Sequence, residues 1–495
     1  MAATPASLGI DLGTTAARAA VVRVDATGAY ELVHLPPIPC CVAFPSAGAR
    51  RVGDVDAAAV PPGNTVEGAK RLLARHGDDP GVASPFWPFQ LRSPPANATP
   101  TAVRPAVEIP LSTASDAPRY VTALEVTASV LRQVKLSAET ALGGVDFGRT
   151  PVTVSVPPSF DSDQREATVL AARVAGFGSV RLVSDATAVA AAYHCRAVEG
   201  SLAMQRDGEE ATFVVNVGAG YTTVSAFTLD TGIVEMLASR GAPIGGEDVT
   251  RALCADCAAD LTTDLTTTSY RELRSVLEAA KLRLASDAKL DSVPVSVPTG
   301  VGSPPLQTTL QRAVLDATTR LVMNPVIDTL VSELVTDFTW PPNTPATLVV
   351  AGAPLAGPAA AATLTADVLL SKFRERWKGG TVNLAAPLAD PVTAVAAGAA
   401  LLAIPLSRST LPATPIKDLL HLDNFPTSIR MEGVKRDDHS TQRHDTHQST
   451  VLDVSVSEAM ALAGFDAKSF LRRDGIYNWS KARAKAKSAS ELLSW

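Results

Sequence analysis

The apolar positions of the chain fall into two runs of one design. "LGIDLGTTAARAAVVRV", Leu8 to Val24, is an apolar strand, a Gly-Thr-Thr turn and a return strand, and "ATFVVNVGAGYTTVSAFTL", Ala211 to Leu229, repeats it about two hundred residues on. Further strand signals follow each hairpin, and then stretches of helical periodicity such as "VTALEVTASVLRQVKLSAETAL" and "YRELRSVLEAAKLRLAS". This mixed order predicts α/β domains with helices packed on sheets. The repetition predicts an internal duplication: two similar lobes with a cleft between their hairpins.

Composition narrows the function classes. The 495 residues are enough for two or three domains, and 46% hydrophobic with 19% charged content is ordinary for a globular protein. A net charge of -6 supplies no basic field, so generic attraction to nucleic acid or to a membrane is not expected. No run of about 18 uncharged apolar residues occurs, and the first strand begins too early for a signal peptide, so the expected compartment is the cytoplasm. Five cysteines argue against a disulfide framework, and the lone Cys254-x-x-Cys257 reads as small apolar residues on a helix face.

Three segments stand apart. "LRSPPANATPTAVRPAVEIPLSTASDAP" reads as a surface loop with at most a short edge strand. "SIRMEGVKRDDHSTQRHDTHQSTV" is polar and reads as a flexible linker, in which His439, His444 and His447 lack the convergence a metal site needs. The end of the chain reads as two short helices, the last bearing Lys481, Arg483, Lys485 and Lys487, a solvated face or a docking helix.

Asp11 closes the first strand just before a turn whose amides, with the hydroxyls of Thr14 and Thr15, can cup phosphate oxygens; a side chain at Gly13 would block that approach. The second hairpin has the same Gly-x-Gly economy at Gly218 and Gly220, but its strand ends on Asn216, an amide that cannot take a proton.

Taken with six further segments, these motifs resemble the nucleotide-binding domain of the Hsp70 family, within the wider actin and sugar-kinase ATPase fold. "GAKRLLAR" is similar to its lysine-bearing segment, "VTVSVPPSFDSDQREATVLAARVAGF" to its first connecting motif and "GAPIGGEDVTRAL" to its phosphate-contacting turn. "LEAAKLRLAS" resembles the adenine-side helix, "TLVVAGAPLAG" the adenosine motif and "AVAAGAALLA" the second connecting motif. The resemblance implies an actin-like, two-lobed fold built on duplicated mixed sheets over residues 7–407, with lobes at about 7–200 plus 375–407 and about 201–374. It implies ATP or ADP as ligand, with Mg2+ held through water near Asp11 and Asp185 rather than by direct ligation. Gly13, Thr14, Thr15, Gly218, Gly220, Gly245 and Gly246 would surround the phosphates, Lys70 would reach the γ-phosphate, Glu278 and Lys281 would face the ribose, and Gly352 would lie in the adenosine motif. Residues 408–430 resemble the family's interdomain linker, carried by Asp418, Leu419, Leu420, Leu422 and Asp423, followed by a vestigial strand. Residues 431–495 would be polar linker and short helices, with no peptide-binding sandwich.

The departures from the family pattern fall on the chemistry. Asn216 stands where the family carries a second catalytic aspartate, Tyr221 replaces a threonine and Asp185 a glutamate. Leu282, Ala285 and Leu355 replace two arginines and a serine around the base. Phosphoryl transfer depends on positioned charge, and losing one such group commonly costs about 10²–10³ in rate. The expectation is a divergent chaperone-family protein that binds ATP with weak or no hydrolysis, as a co-chaperone or assembly component. Its expected partners are proteins: a J-domain protein on the face of Arg165 and Arg181, or an assembly engaging the C-terminal tail. An active ATP-dependent folding chaperone and a nucleotide-free structural subunit stay open as alternatives.

Overall fold

The computed structural model describes residues 4–24, 30–45, 49–53, 60, 62–77, 79, 82, 87, 89–92, 108–111, 119–142, 145–148, 150, 152–195, 197–198, 201–202, 210–230, 233–260, 267–297, 305–337, 344–352, 364–386, 388, 390–404, 420–422, 428–433 and 450–455. The chain divides into two units, Met1–Asn424 and Phe425–Trp495. The first unit holds eight helices among the described residues: α1 (Ala123–Ala141), α2 (Ser162–Val174), α3 (Asp185–His194), α4 (Gly246–Asp260), α5 (Thr267–Ser286), α6 (Arg312–Asp337), α7 (Ala366–Arg376) and α8 (Ala394–Ala403). Local chemistry starts several of them. Thr122 and Glu125 form a capping box on α1, Asp161 and Gln164 form one on α2, and the Ser184 hydroxyl accepts from Thr187 N on α3. The Asp-Ser-Asp-Gln run of the first connecting motif is thus, locally, a helix start.

The duplication is visible in the sheets. In the first, Val180–Ser184, Val152–Val156 and Thr4–Leu12 run parallel, and Ala16–Val24 and Tyr30–His34 continue antiparallel. In the second, Val382–Leu384, Ala346–Ala351 and Glu210–Val217 run parallel, and Thr222–Asp230 and Ile233–Ala242 continue antiparallel. Each hairpin therefore supplies the central antiparallel pair of its sheet. Because Val382–Leu384 pairs with Ala346–Ala351, this part of the chain belongs to the second sheet. The expected return to the first lobe at residue 375 falls instead at α8, because the apolar alternation that marks a strand does not say which sheet receives it.

A sixth strand joins the second sheet. Leu420–Leu422 runs parallel to Ile233–Ala242, with Leu420 opposite Ile233 and Leu422 opposite Glu235. The leucine-rich linker segment is thus a strand of the first unit; Asp418, Leu419 and Asp423 lie outside the described residues. In the second unit, Ser428–Gly433 and Thr450–Ser455 pair antiparallel. The first of these begins within the vestigial strand expected up to residue 430 and runs on to 433, and the second corrects the reading of residues 431–495 as linker and short helices at 450–455, because the polar residues between them obscure the pairing. Residues 456–495, where two short helices are expected, and His439, His444 and His447 lie outside the described residues. The Pro-rich segment does contain a short strand, Glu108–Leu111.

Helices α3 and α8 join the two sheets. They share a buried apolar cluster with Ala20 and Val22 of the first sheet and Val214, Phe227, Val234 and Ala351 of the second. Their faces are nearly all Ala and Gly, which lets backbones approach closely. A Cβ on Gly398 would lie 1.7 Å from Ala188 O, and the Ser7 hydroxyl donates to Ala400 O at 2.7 Å. Cys254 is fully buried on α4, as the helix-face reading expects. No helix among the described residues is long and apolar enough to cross a membrane.

Gly398→Ala tests the role of this contact. Backbone rather than a flexible side chain blocks the added methyl, so the expected loss of stability is about 3 kcal/mol, the upper part of the usual overpacking range, in urea unfolding. A loss below about 0.5 kcal/mol, the scale of an indifferent surface change, would show that α3 and α8 are free to separate.

Candidate functional site

The two hairpin turns face each other. Gly13 N donates to Asp11 O at 3.0 Å and Gly218 N to Tyr221 O at 2.8 Å, which tightens both turns. A Cβ on Gly220 would lie 2.3 Å from Thr14 Oγ1, so Gly220 packs directly on the Thr14 side chain. Among the described residues, the amides of Thr14, Thr15, Ala219 and Gly220 have no acceptor within the protein. Four unspent N–H groups on two opposed turns form a donor set suited to anionic oxygens. These turns fit the phosphates of a nucleotide.

Charged groups sit beneath them. Lys70 lies on a short 3-10 turn, Ala69–Leu72, and is buried. Its ammonium is 5.6 Å from the Tyr221 ring centroid and 5.9 Å from that of Phe160, and the two rings meet edge to face. Burial lowers the Lys70 pKa, against the pull of Asp11 and Asp185. Asp185 is the first residue of α3, and its Oδ1 is buried without a hydrogen-bond partner. Burial pushes this carboxyl up to about 7, with Lys70 opposing and Asp11 reinforcing the rise, and the Ala186 amide and the Asn216 side chain lowering it. Burial also raises Asp11, which accepts from Ser155 Oγ at 3.4 Å and faces Arg18 at 4.0 Å. The structure thus brings Asp11, Lys70, Asp185 and Asn216 to one place. Asp11 and Asp185 are the carboxylates of this cluster, Asp11 already facing Arg18, and the described residues contain no group of three metal-ligating side chains.

The turn before α4 closes the far side, though its amides are already engaged. Gly246 N donates to Gly218 O at 3.0 Å, Glu247 N to Ala219 O at 2.8 Å, and Gly245 N to Asp248 Oδ2 at 2.8 Å. Gly245 and Gly246 therefore buttress the second hairpin turn. Glu278 and Lys281 pair at 2.7 Å, and Lys281 Nζ donates to Gly246 O at 2.9 Å, so both are held against the first turn of α4. On the expected base side Leu282 is half exposed, and Leu355 lies outside the described residues. Gly352 N donates to Pro391 O at 3.0 Å, next to the end of the Ala346–Ala351 strand. Arg165 spends its guanidinium on the carbonyls of Phe160 and Pro158, which fixes the loop under the Lys70 ammonium.

Sequence reasoning missed the ion pairs that join one hairpin's lobe to the other. Arg71, beside Lys70, donates to both carboxylate oxygens of Asp248, at 3.0 and 2.5 Å, and to Gly220 O at 3.1 Å. Arg274 on α5 binds Glu247 through Nε at 2.5 Å and Glu67 through Nη1 at 2.5 Å. Arg251 lies over the Trp87 ring at 5.1 Å. The signal was present, since Arg71 lies within "GAKRLLAR" and Asp248 within "GAPIGGEDVTRAL". Their pairing spans 177 residues, and neither segment alone announces it.

Residues 7–342 match the family model described as Hsp70 protein. The chain is 33% identical over 294 residues to the chaperone protein HscA homolog of Pseudomonas aeruginosa (strain LESB58), covering 57% of this chain and 43% of that protein. It is 31% identical over 296 residues to a heat shock 70 kDa protein of Neurospora crassa, covering 57% of this chain and 42% of that protein. The chain thus spans less than half the length of these relatives.

Two outcomes test this geometry. The Asp185 carboxyl has a folded-state pKa of about 7 against an ordinary 3.8, so between those values the folded protein holds a proton that the unfolded chain has released. Its contribution is stabilising at low pH and is lost as pH rises through that window. Asp185→Asn should therefore raise the melting temperature of the ligand-free protein at about pH 8 and bring it close to wild type only below the ordinary carboxyl value of 3.8; an equal change at both pH values would contradict the assignment. For the Arg71–Asp248 pair, a double-mutant cycle on Arg71→Ala and Asp248→Ala should give a coupling above about 1 kcal/mol, beyond the range of exposed ion pairs. A coupling near zero would mark it as a surface pair.

Proposed function

The chain belongs to the Hsp70 family, and from that membership we propose that the cleft between its hairpins holds ATP or ADP and turns it over slowly or not at all, the protein acting as a co-chaperone or assembly component of an Hsp70-type system. The observation that carries this reading is the set of four unspent amides on two opposed turns, with the buried Lys70 ammonium beneath them. Amides and ammonium hold the phosphates in place without moving a proton. Bound ATP supplies a phosphoanhydride, and cleaving it requires an oriented water and a group to receive its proton. Asn216 cannot receive one. Asp185 can, but burial disfavours its ionised form, and Tyr221 places a ring beside Lys70 on that side of the phosphates. Binding is therefore retained and catalysis depleted.

The partners in this reading are proteins: a J-domain protein, or a larger assembly engaging the C-terminal tail, in the cytoplasm. The linker strand beside Glu235 supports communication between the cleft and whatever follows it. One observation favours a second reading, a structural subunit without nucleotide. Glu278 and Lys281, which the family resemblance assigns to the ribose, are satisfied by each other and by α4, and Leu282 offers no cation to the base.

Thermal unfolding with ATP, ADP or neither separates the two. At 100-fold saturation a ligand adds about 2.7 kcal/mol to the folded state, so a raised melting temperature with no product in a single-turnover assay is expected. Unchanged melting with both nucleotides favours the structural subunit, and rapid turnover would contradict the proposal. Asn216→Asp, which restores a carboxylate, should raise the single-turnover rate by about tenfold or more, a part of the roughly 10²–10³ such a group is worth.

A further inference from the structure

Arg18 has no role in the reading above, yet it stands inside the same site. It pairs with Asp11 across the first hairpin, and directly opposed residues of an antiparallel pair project from one face of the sheet. Both are largely withdrawn from solvent, with side chains 22% and 15% exposed. The guanidinium is 4.0 Å from Asp11 Oδ2, too far for a hydrogen bond. That is the one polar contact recorded for it among the described residues. A guanidinium carries five N–H donors in a planar fork suited to phosphate. Arg18 brings these donors, unspent, to the mouth of the Thr14–Thr15 turn, where amides are also unspent.

The charges of the site complete the argument. With both carboxylates ionised, Asp11 and Asp185 balance Lys70 and Arg18, and position 216 adds an uncharged amide. Magnesium takes six oxygen ligands, keeps several waters and relies on carboxylates together with substrate phosphates. Here one of the two carboxylates, at the end of the first strand, already faces a cation, and position 216 brings an amide where a further carboxylate could have served. The residues present fit a polyphosphate and do not fit a hydrated divalent cation beside it.

We propose that Arg18 is a phosphate-binding residue supplying the counter-charge that a divalent cation would otherwise bring, so that the cleft holds a nucleoside polyphosphate without requiring magnesium. This rests on the nucleotide reading and is testable apart from it. ATP binding to the full chain is measured by calorimetric titration and thermal unfolding, in excess magnesium chloride and in EDTA, for wild type, Arg18→Gln and Arg18→Lys. The wild-type Kd in EDTA should lie within about fivefold of that in magnesium. Arg18→Gln should weaken ATP binding in EDTA by about ten- to a hundredfold, the scale of one lost charged hydrogen-bonding partner, while Arg18→Lys retains more of it. Ligand-free melting temperatures verify that each variant is folded. Wild-type binding that needs magnesium overturns the inference and leaves the nucleotide reading intact. Arg18→Gln binding as wild type does in EDTA removes Arg18 from the site. No binding of ATP under either condition overturns both readings.

Discussion

Backbone-to-backbone approach between α3 and α8 is the constraint on which the rest of the first unit depends. Each sheet has one face on this helix pair, and the spacer is thin because Gly398 meets Ala188 between the helices while Ala396 and Ala400 meet Gly9 of the first strand. Thin spacers bring two sheets close enough for the turns at their ends to meet. Asp185 begins α3, Asp11 ends the strand that rests on α8, and Asn216 ends the matching strand of the other sheet, so one packing arrangement delivers all three to the same cleft. Larger side chains at 188 or 398 would move chemistry as well as core.

Around that geometry the electrostatics serve two purposes. Inside the cleft, burial works against the charged forms of Asp11, Asp185 and Lys70 together, and the cluster is sustained by mutual attraction. At its rim, Arg71, Arg251 and Arg274 tie Asp248, Trp87, Glu67 and Glu247 across the opening. The inner set suits an anion already stripped of water. The outer set determines how easily the two lobes part to admit it.

The hairpins, their turns and the mixed sheets were legible because each is a local pattern: period-two alternation broken by Gly-x-Gly or Gly-Thr-Thr. The residues of the inner cluster were legible only through family resemblance, since nothing near Asp185 in sequence shows that α3 starts beside Lys70. Arg18 was hidden for a different reason. In an alternating strand a charged residue is expected on the open face, and only the pairing of this strand with Asp11 shows that its open face is the cleft. The ion pairs across the rim were illegible because they join segments far apart in the chain. The placement of Val382–Leu384 in the second sheet was hidden because alternation marks a strand and not the sheet that receives it, and the strands flanking the polar stretch in the second unit were obscured by the charged residues between them.

The central claim, that two opposed turns hold a nucleotide's phosphates, is tested most directly by amide hydrogen exchange on the full chain with and without ATP. The account expects slowed exchange at Thr14, Thr15, Ala219 and Gly220 together, since these amides have no acceptor until a phosphate arrives. Unchanged exchange at all four in the presence of saturating ATP would contradict it and leave the cleft a structural feature of the fold.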